Sequence, residues 1–285
     1  MINAFSVDVE DWYQVSDFEE AVDFSAWDSY ESRVVRNTER VLELCDARGV
    51  KGTFFVLTWN AERHPELIRR IADAGHEIAS HGYRHRLIYE QSPEAFRDDI
   101  MRSKKILEDI TGEPVWGYRA PSFSLTSASL WALDILLECG MRYDSSIFPV
   151  SDRLYGIPNA RRFPFVIRAD GDRELVEFPM STARALNRNL PLGGGAYLRV
   201  FPTRTCAGAS AASTARGSRP SSTCIPGSST RASLASRRAG SVASAPTTST
   251  SIGRRRGSTA CCGTSPSPRF VTCLDFHNEN RVHHL

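Results

Sequence analysis

This sequence of 285 residues has no apolar run as long as the roughly 18 residues that a bilayer-spanning helix needs. Its first residues, MINAFSVDVEDW, also lack the positively charged start and the apolar core of a secretion signal. We therefore expect no transmembrane segment and a cytoplasmic location.

Cysteines at metal-ligand spacing are missing from the first 202 residues. Only Cys45 and Cys139 occur there, far apart in the chain. This excludes a cysteine-ligated zinc site in that part of the protein, so we interpret both residues as buried free thiols.

Lysine, tyrosine and tryptophan are absent from residue 203 onward. The 83 residues of this segment include 27 Ser or Thr, two aromatics and eleven Arg against two acids, a net charge of +9. The first 202 residues carry a net charge of −7. A segment so poor in apolar residues cannot bury a core, so we predict a folded domain over 1–202 and a disordered tail over 203–285.

A nucleic-acid-binding role for the tail depends mainly on the RRR run at Arg254 to Arg256. The tail lacks the interleaved aromatics that single-strand binding uses, and we expect no nucleic-acid partner.

Our hypothesis is that the tail is the product of a GC-rich gene read out of frame. Back-translated and read one nucleotide earlier, TRTCAGASAASTARG becomes YAYLRWGLRRINREG, and CIPGSSTR, Cys224 to Arg231, becomes LHPWELDP.

Strand-like and helix-like patterns alternate along the first 202 residues. The predicted strands are Ile2–Val9, Gly52–Leu57, Glu77–Ser80 and Val115–Tyr118, and the predicted helices are Glu31–Arg48, Pro65–Gly75, Pro93–Ile110 and Ser127–Cys139. This alternation predicts an α/β fold with a parallel sheet or an α/β barrel. In such folds the functional residues collect at the carboxyl ends of the strands.

Three histidines lie within GHEIASHGYRH. His76 begins an H-E-x-x-H pattern that fails at Ser80, so we interpret it as a partly buried polar residue where the strand begins. His81 and His85 follow the strand, and their i, i+4 spacing lets one turn direct both rings at one ion. The alternative is a pair of exposed loop histidines.

Three acids, Asp8, Glu10 and Asp11, stand at the end of the first predicted strand. Such crowding of like charges is seldom tolerated without a cation. Two histidines and one carboxylate leave an open position on a zinc-like ion, which is typical of hydrolytic sites. A remaining acid can serve as general base.

Two further motifs carry charged residues near predicted strands. Arg119 in GYRAPSFSL follows a strand and can hold a carboxylate bidentately, and Asp144 in YDSSIFP follows a helix and a possible short strand. Each alone is more often an ordinary surface charge.

The order VDVEDW, SHGYRH, GYRAPSF, YDSSIFP resembles the NodB-type polysaccharide deacetylases, carbohydrate esterase family four. More narrowly, SVDVEDWYQV and PLGGGAYLRVFP resemble the exosortase-associated branch linked to exopolysaccharide synthesis. The resemblance implies a distorted (β/α) barrel of about seven strands and a divalent transition metal, usually zinc. It also implies removal of N-acetyl groups from amino-sugar units of a polysaccharide or oligosaccharide substrate.

Residue by residue, the resemblance implies Asp8 as general base, His81, His85 and either Glu10 or Asp11 as metal ligands, Arg119 as the group that orients Asp8, and Asp144 as the partner of a later histidine. That histidine belongs to a Leu-His pair, which does not occur in frame but does occur in the shifted reading LHPWELDP. The barrel is therefore expected to be incomplete at its C-terminus and the chain to lack its general acid. Two alternatives stay open: an amidohydrolase acting on a small amide, and a carbohydrate-binding pseudoenzyme.

Overall fold

The structure is a computed structural model that describes residues 4–152, 154–185 and 188–194, together with the backbone of 223–225. Within these ranges the strands are β1 (Phe5–Val9), β2 (Thr53–Val56), β3 (Glu77–Ser80), β4 (Gly117–Tyr118), β5 (Tyr143–Asp144), β6 (Phe165–Asp170), β7 (Arg173–Glu177), β8 (Thr182–Ala185), β9 (Arg188–Pro191) and β10 (Thr223–Ile225). The helices are α1 (Val34–Asp46), α2 (Thr58–Arg63), α3 (Pro65–Asp73), α4 (Pro93–Thr111) and α5 (Trp131–Glu138).

The main sheet has the strand order β10-β1-β2-β3-β4-β5-β7-β6. Every neighbouring pair is parallel except β6 and β7, which form an antiparallel hairpin at one edge. Strands β8 and β9 form a separate hairpin. The predicted α/β fold with a mostly parallel sheet of about seven strands is thereby confirmed.

The core lies between the sheet and the helices. Strand β2, with the sequence TFFV, is buried along its whole length, as expected for a central parallel strand. Helix α3 begins at Pro65 and turns Leu67, Ile68 and Ile71 toward the sheet. Helix α4 begins after the capping hydroxyl of Ser92 and ends at Gly112, whose φ of 71° suits glycine.

Some boundaries differ from the prediction. Helix α1 begins at Val34 rather than at residue 31, because the Asp11 carboxylate caps it from another segment and accepts the backbone N–H groups of Arg33 and Val34. Helix α2 was not predicted, because its six residues are too few for a periodic pattern. Cys45 and Cys139 are buried free thiols, as predicted.

Strand β10 pairs with β1 in parallel register, with Ile225 opposite Val7. It lies in the segment 203–285 that the composition assigns to a disordered tail, and the rest of that segment is outside the described residues. Among the described helices, none combines the length and the apolar character needed to cross a membrane.

Candidate active site

The predicted site residues lie where the parallel strands end, and backbone pairing continues beyond each strand. The N–H of His81 donates to Val56 O at 2.9 Å, and the N–H of Arg119 donates to Ser80 O at 3.0 Å. The N–H of Ser145 donates to Tyr118 O at 2.9 Å. These bonds hold the first residues after β3, β4 and β5 in sheet geometry, so their side chains have fixed directions.

Glu10, His81 and His85 form one buried cluster. Glu10 Oε2 lies 3.1 Å from His85 Nε2 and 3.6 Å from His81 Nε2. One ligand atom from each residue falls within 4.8 Å of the others, and this is the grouping of potential metal ligands found among the described residues. The structure therefore brings together both predicted histidines and one of the two predicted acids.

The second nitrogen of each ring has a partner of its own. His81 Nδ1 lies 2.8 Å from the carbonyl oxygen of Arg119, and His85 Nδ1 lies 3.2 Å from Ser16 Oγ. A ring that donates Nδ1–H to a carbonyl keeps the lone pair of Nε2 for a metal, and such outer contacts orient ligating histidines. Both Nε2 atoms point toward Glu10.

The electrostatics of the cluster agree with a cation site. Burial raises the pKa of the Glu10 carboxyl, but the charges and hydrogen bonds of His85 and His81 outweigh it and hold that pKa well below its usual range. Burial lowers the pKa of His81, but the hydrogen bond to Glu10 and the negative charges of Asp8 and Glu10 raise it by more. The pKa of His81 therefore lies above its usual value. Two imidazole nitrogens and one carboxylate are a common donor set for zinc, so the residues fit a divalent ion.

Asp8 and Arg119 form a buried ion pair beside the cluster. Arg119 Nη1 donates to Asp8 Oδ1 at 2.7 Å, while Nη2 donates to Ser6 Oγ at 3.0 Å and to Ser145 Oγ at 2.9 Å. The guanidinium also stacks on Phe55 at 3.9 Å. Arg119 thus fixes the position of the Asp8 side chain, because separating the two would leave a buried charge unpaired.

Asp11 lies outside the cluster. Its carboxylate accepts Ser32 Oγ at 2.7 Å, Arg33 N at 3.0 Å and Val34 N at 3.2 Å. These donors stand at the N-terminus of α1, where a carboxylate satisfies backbone N–H groups and favours the helix dipole. Of the two acids that the sequence left open as third ligand, the structure places Glu10 with the histidines and gives Asp11 to the helix.

Asp144 is fully buried and faces Glu177, its register partner on β7. Ser146 Oγ donates to Asp144 Oδ1 at 2.5 Å, and Ile147 N donates to Glu177 Oε1 at 3.0 Å. The two carboxyl groups interact with each other, and burial followed by the charge of Asp144 raises the pKa of Glu177 well above its usual range.

Sequence reasoning missed three side chains that support the site. They are Ser16 against His85, Glu177 against Asp144, and Asp99 of α4, whose carboxylate accepts the Tyr83 N–H at 3.2 Å in the loop between the two histidines. Each is distant in sequence from its partner, and no spacing in the sequence indicates these contacts. His76 is buried as predicted, with Nδ1 accepting from Gly52 N at 3.1 Å.

The structure places a buried polar cluster at the carboxyl edge of a mostly parallel α/β sheet. Residues 24–143 match the family model for polysaccharide deacetylases, and residues 145–224 match a domain of unknown function, DUF3473. The chain is therefore similar to the polysaccharide deacetylases over 120 of its 285 residues. The second match extends past residue 202, where the composition changes.

The sequence matches curated relatives over part of their length. The chain is 32% identical over 98 residues to a peptidoglycan-N-acetylglucosamine deacetylase of Bacillus cereus, covering 34% of this chain and 36% of the relative. It is 30% identical over 108 residues to a peptidoglycan deacetylase of Helicobacter pylori, covering 38% of this chain and 36% of the relative. The matched region thus spans about a third of each of these relatives.

Solved structures support the fold. A Mycobacterium smegmatis protein assigned to the polysaccharide deacetylases superimposes with a TM-score of 0.56 and 25% identity over 78% of this chain and 75% of its own. The allantoinase PuuE superimposes with a TM-score of 0.54 and 18% identity over 79% of this chain and 75% of its own. The second similarity shows the fold alone.

Proposed function

We propose that this protein is a metal-dependent deacetylase that hydrolyses the N-acetyl group of an amino-sugar unit in a polysaccharide. The observation that carries the proposal is the grouping of Glu10, His81 and His85, in which His81 contacts the carbonyl oxygen of Arg119, the residue that holds the Asp8 carboxylate. A trio of this composition leaves open coordination positions, which catalytic sites need and structural sites lack.

Each residue has a separate task. His81, His85 and Glu10 hold the ion, and an ion bound there supplies Lewis acidity toward a water molecule and toward the amide carbonyl. Asp8 takes the proton of the attacking water, and Arg119 holds the Asp8 carboxylate in position. Asp11 contributes to the fold and not to the reaction.

Hydrolysis also needs a proton for the departing amine as the C–N bond breaks. In the shifted reading of Cys224 to Arg231, histidine stands at the position of Ile225, at the end of β10 and beside β1. We therefore propose that the gene is out of frame near residue 202 and that the restored histidine supplies this proton, with the Asp144–Glu177 pair as its partner.

Restoring the frame tests this proposal. We expect the restored chain to release acetate from N-acetylglucosamine oligomers about 10² to 10⁴ times faster than the chain as written, because an acid group is regained. The control is the restored chain with alanine at that histidine, which should fall back to the slow rate. Equal rates for all three proteins, or an intact frame in independent DNA reads, would refute the frame hypothesis.

Metal content tests the trio in the chain as it exists. We expect His81→Ala and His85→Ala each to reduce bound zinc from one ion per chain to near none, measured by mass spectrometry of the dialysed protein. The matched control is His64→Ala, a half-buried histidine outside the cluster, which should keep its zinc. Stoichiometric zinc in either cluster variant would remove that histidine from the site.

The same assays test the role of Asp8 and the two alternative functions. Asp8→Asn should keep zinc and lose acetate release, and an active variant would remove Asp8 as the base. Hydrolysis of small cyclic amides without acetate release would indicate an amidohydrolase, and glycan binding that persists in chelator with no zinc would indicate a pseudoenzyme. An exosortase-associated role in exopolysaccharide synthesis and a cytoplasmic location remain predictions from the sequence.

A further inference from the structure

The segment that matches a domain of unknown function forms a cavity of about 1290 Å³. Its walls are residues 149–152, residues 158–164 and the β8–β9 hairpin. All of these residues lie within 145–224, so the cavity is a feature of that segment and not of the matched deacetylase region.

Positive charge dominates the described lining of this cavity. Arg161, Arg162, Arg184 and Arg188 contribute four guanidinium groups, and Asp152 contributes a single carboxylate. Asp152 Oδ1 already accepts the backbone N–H of Leu154 at 2.9 Å. We call this cavity, with its four arginines, the arginine groove.

Arg162 is half-buried, while the other three arginines are exposed. Its Nε donates to Thr182 Oγ1 at 2.9 Å, and Nη2 donates to the carbonyl oxygen of Thr182. These bonds fix the guanidinium on the groove wall. Burial lowers the pKa of Arg162, and the neighbouring charge of Arg184 lowers it further.

Aromatic side chains connect the active site with the groove. The Arg119 guanidinium lies 5.9 Å from the ring of Phe123, which lies 5.6 Å from the ring of Phe148. Phe148 stacks on Tyr155 with ring centroids 5.8 Å apart. The next residues after Phe148, Pro149 and Val150, already line the groove. These rings thus pack between Arg119 and the groove-lining residues Pro149 and Val150.

We infer that the arginine groove binds the carboxylate groups of an anionic polysaccharide. The inference rests on the proposed deacetylase function and names its substrate class as uronate-containing glycans. Guanidinium groups match planar carboxylates bidentately, and this match favours a uronate over a point anion. The segment of unknown function thus selects acidic glycans for the catalytic edge.

Calorimetric titration of the full chain tests the inference with two probes. One is a hexasaccharide of alternating N-acetylglucosamine and glucuronate, and the other is the neutral N-acetylglucosamine hexamer. We expect the acidic probe to bind at least about 10-fold more tightly at about 50 mM salt, with a smaller preference at higher salt. Equal affinity for the two probes would overturn the inference.

Variants locate the binding in the groove. Arg161→Gln and Arg188→Gln change exposed side chains, and we expect each to weaken binding of the acidic probe by about 5- to 30-fold without affecting the neutral probe. Arg162→Gln should do the same, with thermal melting as a check because its bonds to Thr182 are lost. The matched control is Arg40→Gln on α1, whose partner is Glu43. Unchanged binding in the two exposed variants would overturn the assignment.

Two further measurements separate the possible outcomes. The basic tail is present in every variant, so its arginines contribute equally and cancel in the comparison. A single-stranded oligonucleotide that loses affinity in the same variants to the same extent would indicate a general polyanion site and refute the uronate assignment. Acetate release from the neutral hexamer is scored separately in the frame-restored chain: its absence alongside an intact acidic preference would reject the deacetylase function and leave the groove.

Discussion

At the scale of single residues, strand alternation assigns different tasks to neighbouring acids. Val7 and Val9 of β1 pack into the core against the helices, while Ser6 and Asp8 face Arg119 on the other side. Glu10 follows Asp8 at a spacing of two and continues on the same side, next to the histidines. Asp11 points elsewhere and caps α1.

Replacing Asp11 and Glu10 one at a time tests whether the two acids have separate roles. We expect Asp11→Ala to lower the free energy of unfolding by about 1 to 3 kcal/mol, because three donors at the start of α1 lose their acceptor. Zinc content should stay unchanged. Glu10→Ala should show the reverse, with zinc lost in a protein that still folds. Urea unfolding and metal analysis of both variants measure the two effects, and zinc loss in Asp11→Ala alone would return Asp11 to the ligand set.

At the scale of elements, helix α4 holds the loop that carries the two histidines. Gly82 and His85 both have positive φ, 75° and 57°, so the turn between the ligands is tightly constrained. Asp99 accepts the N–H of Tyr83 inside this turn, and burial raises the pKa of its carboxyl to about 6. The sequence shows the i, i+4 spacing of the histidines but not the acid that supports their loop.

We expect Asp99→Ala to weaken zinc affinity by about 10- to 100-fold, because a contact that orients the metal-binding loop is lost. Asp99→Asn keeps an oxygen that can accept the Tyr83 N–H, so its zinc affinity should stay near that of the parent. Competition with a chromophoric chelator measures both affinities. A parent-like zinc affinity in Asp99→Ala would show that the metal-binding loop keeps its geometry without the Asp99 contact from α4.

At the scale of the whole molecule, buried carboxyl groups link global stability to pH. Glu77 accepts Thr53 Oγ1 at 2.7 Å and the Tyr143 hydroxyl at 2.9 Å, and burial raises its pKa from 4.5 to about 7. A raised pKa means that the folded state holds the proton that the unfolded state releases above pH 4.5. This contribution to stability is complete below pH 4.5 and is lost as pH rises to about 7.

We expect the Glu77→Gln variant not to lose this stability as pH rises. Relative to the variant, the parent should lose up to about 3 kcal/mol of unfolding free energy between about pH 4.5 and 7. Asp99 and Glu177 also titrate with raised pKa values, and the difference between the two proteins isolates Glu77. Urea unfolding across this range is the measurement, and parallel stability curves for the two proteins would contradict the expectation.

Much of the fold and of the site follows from the sequence. Periodicity, proline and glycine signals predict strands β1 to β4 and the helices α1, α3, α4 and α5 to within a few residues. Parallel strands end at one edge, so residues that follow them in sequence come together. The hairpins of residues 165–191 were not predicted, because their short strands are mostly half-buried or exposed and lack a clear alternation.

The sequence by itself determined the order of the elements, the motifs at the ends of the strands and the two histidines, because periodicity and spacing are local properties. Only the tertiary structure decided which acid joins the histidines, that Glu177 lies opposite Asp144, and that four arginines line one cavity. These outcomes depend on contacts between segments distant in sequence. Their energies come from burial and from charges a few ångströms apart, and no local pattern records such distances.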